Sequence, residues 1–99
     1  MFVLAVKLKL AKGKEKEAVQ LLRKVIAKVR QNEKDTLMYD LHCKVSDPTE
    51  LFLYERYPNK QAWENAHWLM PYIEELRSEL PHYLEGAPEV TEYETIELK

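Results

Sequence analysis

The stretch that most limits what this chain can fold into is Leu37 to Tyr57, "LMYDLHCKVSDPTELFLYERY". It reads as two strands, Leu37 to Val45 and Leu51 to Tyr57, joined by "SDPTE". Asp47-Pro48 is a strong turn starter, so the two strands form a hairpin. Both parities of the hairpin carry large apolar residues. Met38 opposes Tyr39 and Leu41 in direction, and Phe52 and Tyr54 oppose Leu51, Leu53 and Tyr57. An antiparallel sheet wetted on one side shows polar alternation instead. Both faces of this sheet therefore need a cover, yet Asp40, His42, Glu55 and Arg56 are interspersed among the apolar residues.

The flanking segments supply one cover. Phe2 to Leu10 alternates, with Phe2, Leu4, Val6, Leu8 and Leu10 on one side. Ala18, Leu21, Leu22, Val25, Ile26 and Val29 recur at helical spacing, predicting an amphipathic helix over Lys14 to Gln31. Asn59 is placed to cap a second helix over Lys60 to Leu69. Pro71 ends it and suits the first position of a third helix, which carries Ile73, Leu76 and Leu80 up to Pro81. Glu89 to Leu98 reads as a last strand. The order β-α-β-β-α-α-β predicts a ferredoxin-like α+β sandwich, one domain over residues 1–99, with helices on one face of an antiparallel sheet. The other face is then an apolar patch on a small chain. A second copy packed sheet to sheet, giving a dimeric barrel, is the economical cover.

Composition excludes several function classes. A formal net charge of -2 offers no basic field for nucleic acid or an anionic membrane. No run approaches the ~18 apolar residues of a membrane span. The first residues alternate like a strand and lack the basic start of a signal peptide. The single cysteine, Cys43, excludes an internal disulfide and fits a reducing, cytoplasmic setting. His42, Cys43, His67 and His82 lack zinc-ligand spacing, and no Gly-rich phosphate loop occurs.

Four motifs carry a family resemblance. They are Tyr39-Asp40-Leu41-His42, the turn Asp47-Pro48-Thr49, Tyr54-Glu55-Arg56-Tyr57, and Ala66-His67 four residues before Pro71. Together they resemble the antibiotic biosynthesis monooxygenase (ABM) domain family, from Phe2 to about Thr95. The resemblance implies a small dimeric α+β barrel enclosing a pocket. It also implies a monooxygenase that uses dioxygen on a small aromatic, quinol-like molecule with neither metal nor flavin. The chain departs from the family where His-Phe often follows the proline, since Tyr72-Ile73 stand there. One extra residue separates Trp63 from Ala66-His67. Phe2 to Leu10 contains no Asn, and no His follows Trp63 at the distance that haem-degrading members use, so haem cleavage is not expected.

Within that resemblance, proton abstraction from a phenol needs a base that titrates near neutrality, and His67 is the expected one. Trp63, one helical turn earlier, is expected on the same face. Tyr72 and Asn65 are expected as hydrogen-bond donors to the substrate. Tyr39, Asp40, His42, Glu55 and Trp68 are expected to line the pocket. Other readings stay open: His67 braces the helix break at Pro71, and Trp63 and Trp68 are core or interface aromatics. The alternative function is a non-catalytic small-molecule binding or stress-response module of the same fold. Isomerisation of a phosphorylated carbonyl compound is a third, without a basic cluster to support it.

Overall fold

The alternation of the first segment is realised in β1 (Phe2–Lys9), which runs through the middle of the sheet. In the computed structural model, which describes residues 1–98, it is followed by α1 (Glu15–Asn32), β2 (Met38–Lys44), β3 (Asp47–Tyr57), α2 (Lys60–Asn65), α3 (Pro71–Glu79) and β4 (Glu89–Glu94). Short 3-10 turns occupy His67–Leu69 and Leu80–Tyr83. The sheet is antiparallel throughout, in the order β2-β3-β1-β4. This is the α+β ferredoxin-like arrangement expected from the sequence.

One parity of each central strand supplies the core. Leu8 of β1 and Leu51 and Leu53 of β3 are buried beneath Ala18, Leu22, Val25, Ile26 and Val29 of α1 and Ile73 and Leu76 of α3, while Phe2, Leu4 and Tyr57 form a second cluster against Ala62 and Trp63 of α2. Each such aliphatic side chain contributes roughly 1.5–3 kcal/mol on burial. Glu15 and Glu17 sit in the first turn of α1, where the helix dipole favours them. Gly13 enters that helix at φ 87°, a conformation few other residues adopt without strain.

The element boundaries differ from the expected ones for local reasons. The hairpin turn is tighter, confined to Val45 and Ser46, and β3 begins at Asp47. Asp47 Oδ1 accepts from the Thr49 backbone N–H at 3.0 Å and from its hydroxyl at 2.6 Å, while Lys9 Nζ lies 2.8 Å from Oδ2. These bonds hold the "DPT" segment in the strand rather than in the turn. Burial slightly opposes ionisation of Asp47, but the hydrogen bonds from Lys9 and Thr49 hold its carboxyl well below the usual carboxylate range. β4 ends at Glu94 because its partner ends: Glu94 pairs with Phe2, and Thr95 N–H reaches the last carbonyl, of Met1, at 2.9 Å.

The opposite parity forms the open face. Val3 and Ala5 of β1, Met38 of β2, Phe52 and Tyr54 of β3 and Tyr93 of β4 lie there, with Met38, Phe52 and Tyr93 exposed. Arg56 shares this face, and its Nε is buried without a hydrogen-bond partner among the described residues.

Candidate functional site

A cavity of about 500 Å³ lies between the β1 side of the sheet and the segment from α2 to α3. Its walls are mostly apolar, with Leu4, Val6 and Leu8 from β1 and Ile73 and Leu76 from α3. Few polar side chains reach it, among them Glu55, His67 and Arg77. That size and polarity match sites that hold small organic molecules.

His67 reaches the cavity because the second helix stops short. Asn59 caps α2 by accepting from Ala62 N–H at 2.9 Å, but the helix ends at Asn65 rather than running on to Leu69. Met70 is extended (φ -64°, ψ 138°), as a residue before proline prefers, so Pro71 forbids a continuous helix. The intervening residues wind into a 3-10 turn that buries His67. Trp63 and His67 both line the cavity, but from two separate elements instead of one helical face.

The imidazole is clamped on all sides. Its Nδ1 lies 2.6 Å from Glu33 Oε1, and its Nε2 lies 3.7 Å from Glu55 Oε1. The Tyr39 and Tyr57 rings stand at 5.0 and 5.5 Å, tilted by 52° and 55°. The side chains of His67, Glu33 and Glu55 are only 3%, 3% and 6% exposed. With a carboxylate at Nδ1 the ring donates a proton there, and in the tautomer that carries no second ring proton Nε2 is an acceptor beside Glu55.

Glu33 is held from three directions. It receives His67 Nδ1–H and, at 2.6 Å, the Thr36 hydroxyl on Oε1, and the Tyr72 hydroxyl on Oε2. Burial pushes its carboxyl up, yet the hydrogen bonds from His67, Thr36 and Tyr72 outweigh that and hold it below its ordinary value. Glu55 goes the other way. Burial raises it, opposed by the Tyr57 hydroxyl donating at 2.7 Å and by nearby His67, and the Glu33 charge adds to the rise. Two buried carboxyls on either side of one imidazole are thus driven in opposite directions.

The expected site residues divide into two groups. Tyr39, Glu55, Trp63, His67 and Trp68 all line the cavity. Tyr39 and Glu55 are direct partners across β2 and β3, which brings them together. Trp68 stands at its rim, 41% exposed, with the Arg77 guanidinium 4.0 Å above its ring and Arg77 Nη1 donating to its carbonyl at 2.8 Å. The others lie elsewhere. Tyr72, in the first turn of α3, directs its hydroxyl to Glu33 rather than into the cavity. Asn65 is exposed at the end of α2. Asp40 and His42 belong to the opposite parity of β2, an edge strand, so they point to the open face. Around the sheet edge Asp40 pairs with Arg30 of α1 at 2.9 Å, and His42 Nδ1 sits 3.2 Å from the Phe52 carbonyl with its ring edge-on to Phe52.

Glu33 is the residue that sequence reasoning missed. A signal existed: an acidic side chain just past the C-terminus of a helix, where the dipole disfavours negative charge. Such a local contradiction is characteristic of a functional or tightly compensated position.

The family model described as antibiotic biosynthesis monooxygenase matches residues 1–68. No curated protein matches by sequence. Solved structures with the same fold include Rv0793 from Mycobacterium tuberculosis, 22% identical, covering 98% of this chain and 96% of its own, with a TM-score of 0.88. PA3566 from Pseudomonas aeruginosa is 20% identical over 97% and 94% of the two chains, with a TM-score of 0.86. The antibiotic biosynthesis monooxygenase candidate from Deinococcus radiodurans is 22% identical over 100% and 96%, with a TM-score of 0.88. With its fold shared across these structures and its first 68 residues matched by the family model, the chain belongs to the antibiotic biosynthesis monooxygenase family.

Proposed function

We propose that the protein is a cofactor-independent monooxygenase that acts on a small aromatic, quinol-like molecule in the cavity of a single ABM domain. The observation that supports it most is His67, with Nδ1 tied to buried Glu33 at 2.6 Å and the ring lining a mostly apolar cavity. A carboxylate behind an imidazole fixes its tautomer and stabilises the imidazolium that forms when it takes a proton. His67 Nε2 removes a phenolic proton, and Glu33 steadies the resulting charge. The phenolate then passes an electron to dioxygen, and the radical pair combines into a carbon–oxygen bond. Collapse of the peroxide leaves one oxygen atom as a carbonyl and releases the other as water. The walls of Tyr39, Trp63 and Trp68 confine the radical pair and exclude water.

A homodimer belongs to the same proposal. Exposed Met38, Phe52 and Tyr93 and the unpartnered Arg56 Nε all lie on the open face, where a second copy covers the apolar groups and offers the guanidinium an acceptor. No helix of the described residues is long and apolar enough to cross a membrane.

Oxygen uptake by metal-stripped protein with a panel of hydroquinones and dihydroxynaphthalenes tests the proposal, alongside His67→Ala. Turnover that collapses in the variant supports it. Ligand binding without uptake, and a variant that is only less stable, would favour the binding-module reading in which Glu33 and His67 brace the break before Pro71.

A further inference from the structure

The polar end of the cavity has a feature that base catalysis does not use. His67 Nε2 and the Glu55 carboxyl face each other 3.7 Å apart, too far for a hydrogen bond. In the tautomer whose proton goes to Glu33 at Nδ1, Nε2 accepts. Glu55 Oε1, the oxygen facing Nε2, receives the Tyr57 hydroxyl at 2.7 Å and keeps a second lone pair. Two acceptors therefore stand side by side with no donor between them, on side chains 3% and 6% exposed.

We infer that the His67–Glu55 pair makes this cavity selective for 1,2-dihydroxyarenes, molecules with two neighbouring hydroxyl donors on an apolar ring. The inference rests on the proposed use of the cavity as an aromatic-substrate pocket and names its substrate class. Hydroxyls on adjacent ring carbons point the same way and reach both acceptors with hydrogen bonds of about 2.7 Å. A 1,4-diol directs its second hydroxyl away from the pair. A single hydroxyl satisfies one acceptor and leaves the other unmatched by the ligand, which is how a polar site rejects an analogue lacking a donor. The apolar walls of Leu4, Val6 and Ile73 accept the ring in every case, so discrimination falls on the hydroxyl pattern. In this assignment His67 takes the proton of one hydroxyl, and Glu55 sets specificity by holding the other.

Calorimetric titration of metal-stripped protein under nitrogen reads the preference without turnover. The ligands are 2,3-dihydroxynaphthalene, 1,4-dihydroxynaphthalene, 2-naphthol and 2,3-dimethoxynaphthalene. The expected result is that the 2,3-diol binds roughly 10- to 100-fold more tightly than 2-naphthol or the 1,4-diol. The dimethoxy compound, with no donor, binds most weakly. Glu55→Gln, checked for folding by near-UV circular dichroism, brings the 2,3-diol to within a few-fold of 2-naphthol. Equal affinity of 2-naphthol or the 1,4-diol for the wild-type protein would overturn the inference, and that comparison needs no variant. Oxygen uptake is read separately. A 2,3-diol preference without uptake leaves the selectivity standing and removes the monooxygenase, whereas uptake on the 1,4-diol without a preference does the reverse.

Discussion

Replacing Glu33 by alanine removes the group that holds His67 in place, and the size of the effect follows from the contacts. Glu33 accepts from His67, Thr36 and Tyr72, and both His67 and Glu33 are 3% exposed at the side chain. Thr36 and Tyr72 are half-buried, so water replaces much of what they lose. The His67 Nδ1–H has no such recourse, and a lost hydrogen bond to a charged group costs about 1.5–3 kcal/mol. Adding a smaller loss at Thr36 and Tyr72, and subtracting the relief of no longer burying a carboxylate, gives a total near ~3 kcal/mol at neutral pH. For a chain of this length that lowers Tm by roughly 15 °C, measured by differential scanning calorimetry. A double-mutant cycle with His67→Ala separates the pair from its surroundings. Glu33→Ala should cost far less in the His67→Ala background, with a coupling of about 2 kcal/mol. Additive losses, or a single-mutant loss below about 1 kcal/mol, would show that Glu33 does not support the imidazole.

Three further outcomes follow from the geometry. Glu55 is raised in the folded state, so folding takes up protons just above the ordinary carboxyl range and its contribution worsens as pH rises from there. Glu33 is lowered, and what it contributes is lost as pH falls through its folded value. Glu55→Gln should therefore gain stability over the wild type as pH rises above about 4.5, read from urea midpoints across pH, and a flat difference would contradict the assignment. Phe52→Lys, on the open face at 40% exposure, should turn a sedimenting dimer into a monomer with little change in monomer stability. A wild-type monomer at micromolar concentration would remove the dimer from the account. Arg77→Ala should cost only about 0.5–1 kcal/mol, because its stack on Trp68 lies at an exposed rim. A thermal melt unchanged, or one lowered by far more, would count against that reading.

The sequence carried the fold wherever a single period governed an element. Alternation in Phe2 to Leu10 and helical spacing from Ala18 to Val29 each identified the buried side, because every second or every third to fourth side chain had to be apolar. Boundaries escaped where one side chain or one partner decided them. Asp47 pulls its turn into the strand, α2 stops where Ala66 leaves the helical conformation (φ -121°, ψ -71°), and β4 ends where β1 runs out. Parity also separated the site residues. Tyr39 and Glu55 share the inward side, whereas Asp40 and His42 do not, and the inward side could be told only once helices were placed on it. Glu33 lies 34 residues from His67, in a polar stretch with no period, so their contact arises only from the folded chain. Its position past a helix C-terminus was the one trace it left in the sequence.

Isotopic labelling follows the fate of dioxygen directly. Metal-stripped protein is supplied with its best dihydroxynaphthalene under ¹⁸O₂, and the product is quenched at once and weighed by mass spectrometry. The account predicts one labelled oxygen atom in the organic product, the other in water, and loss of that label with His67→Ala. Product without label, or oxygen released as hydrogen peroxide, would contradict it.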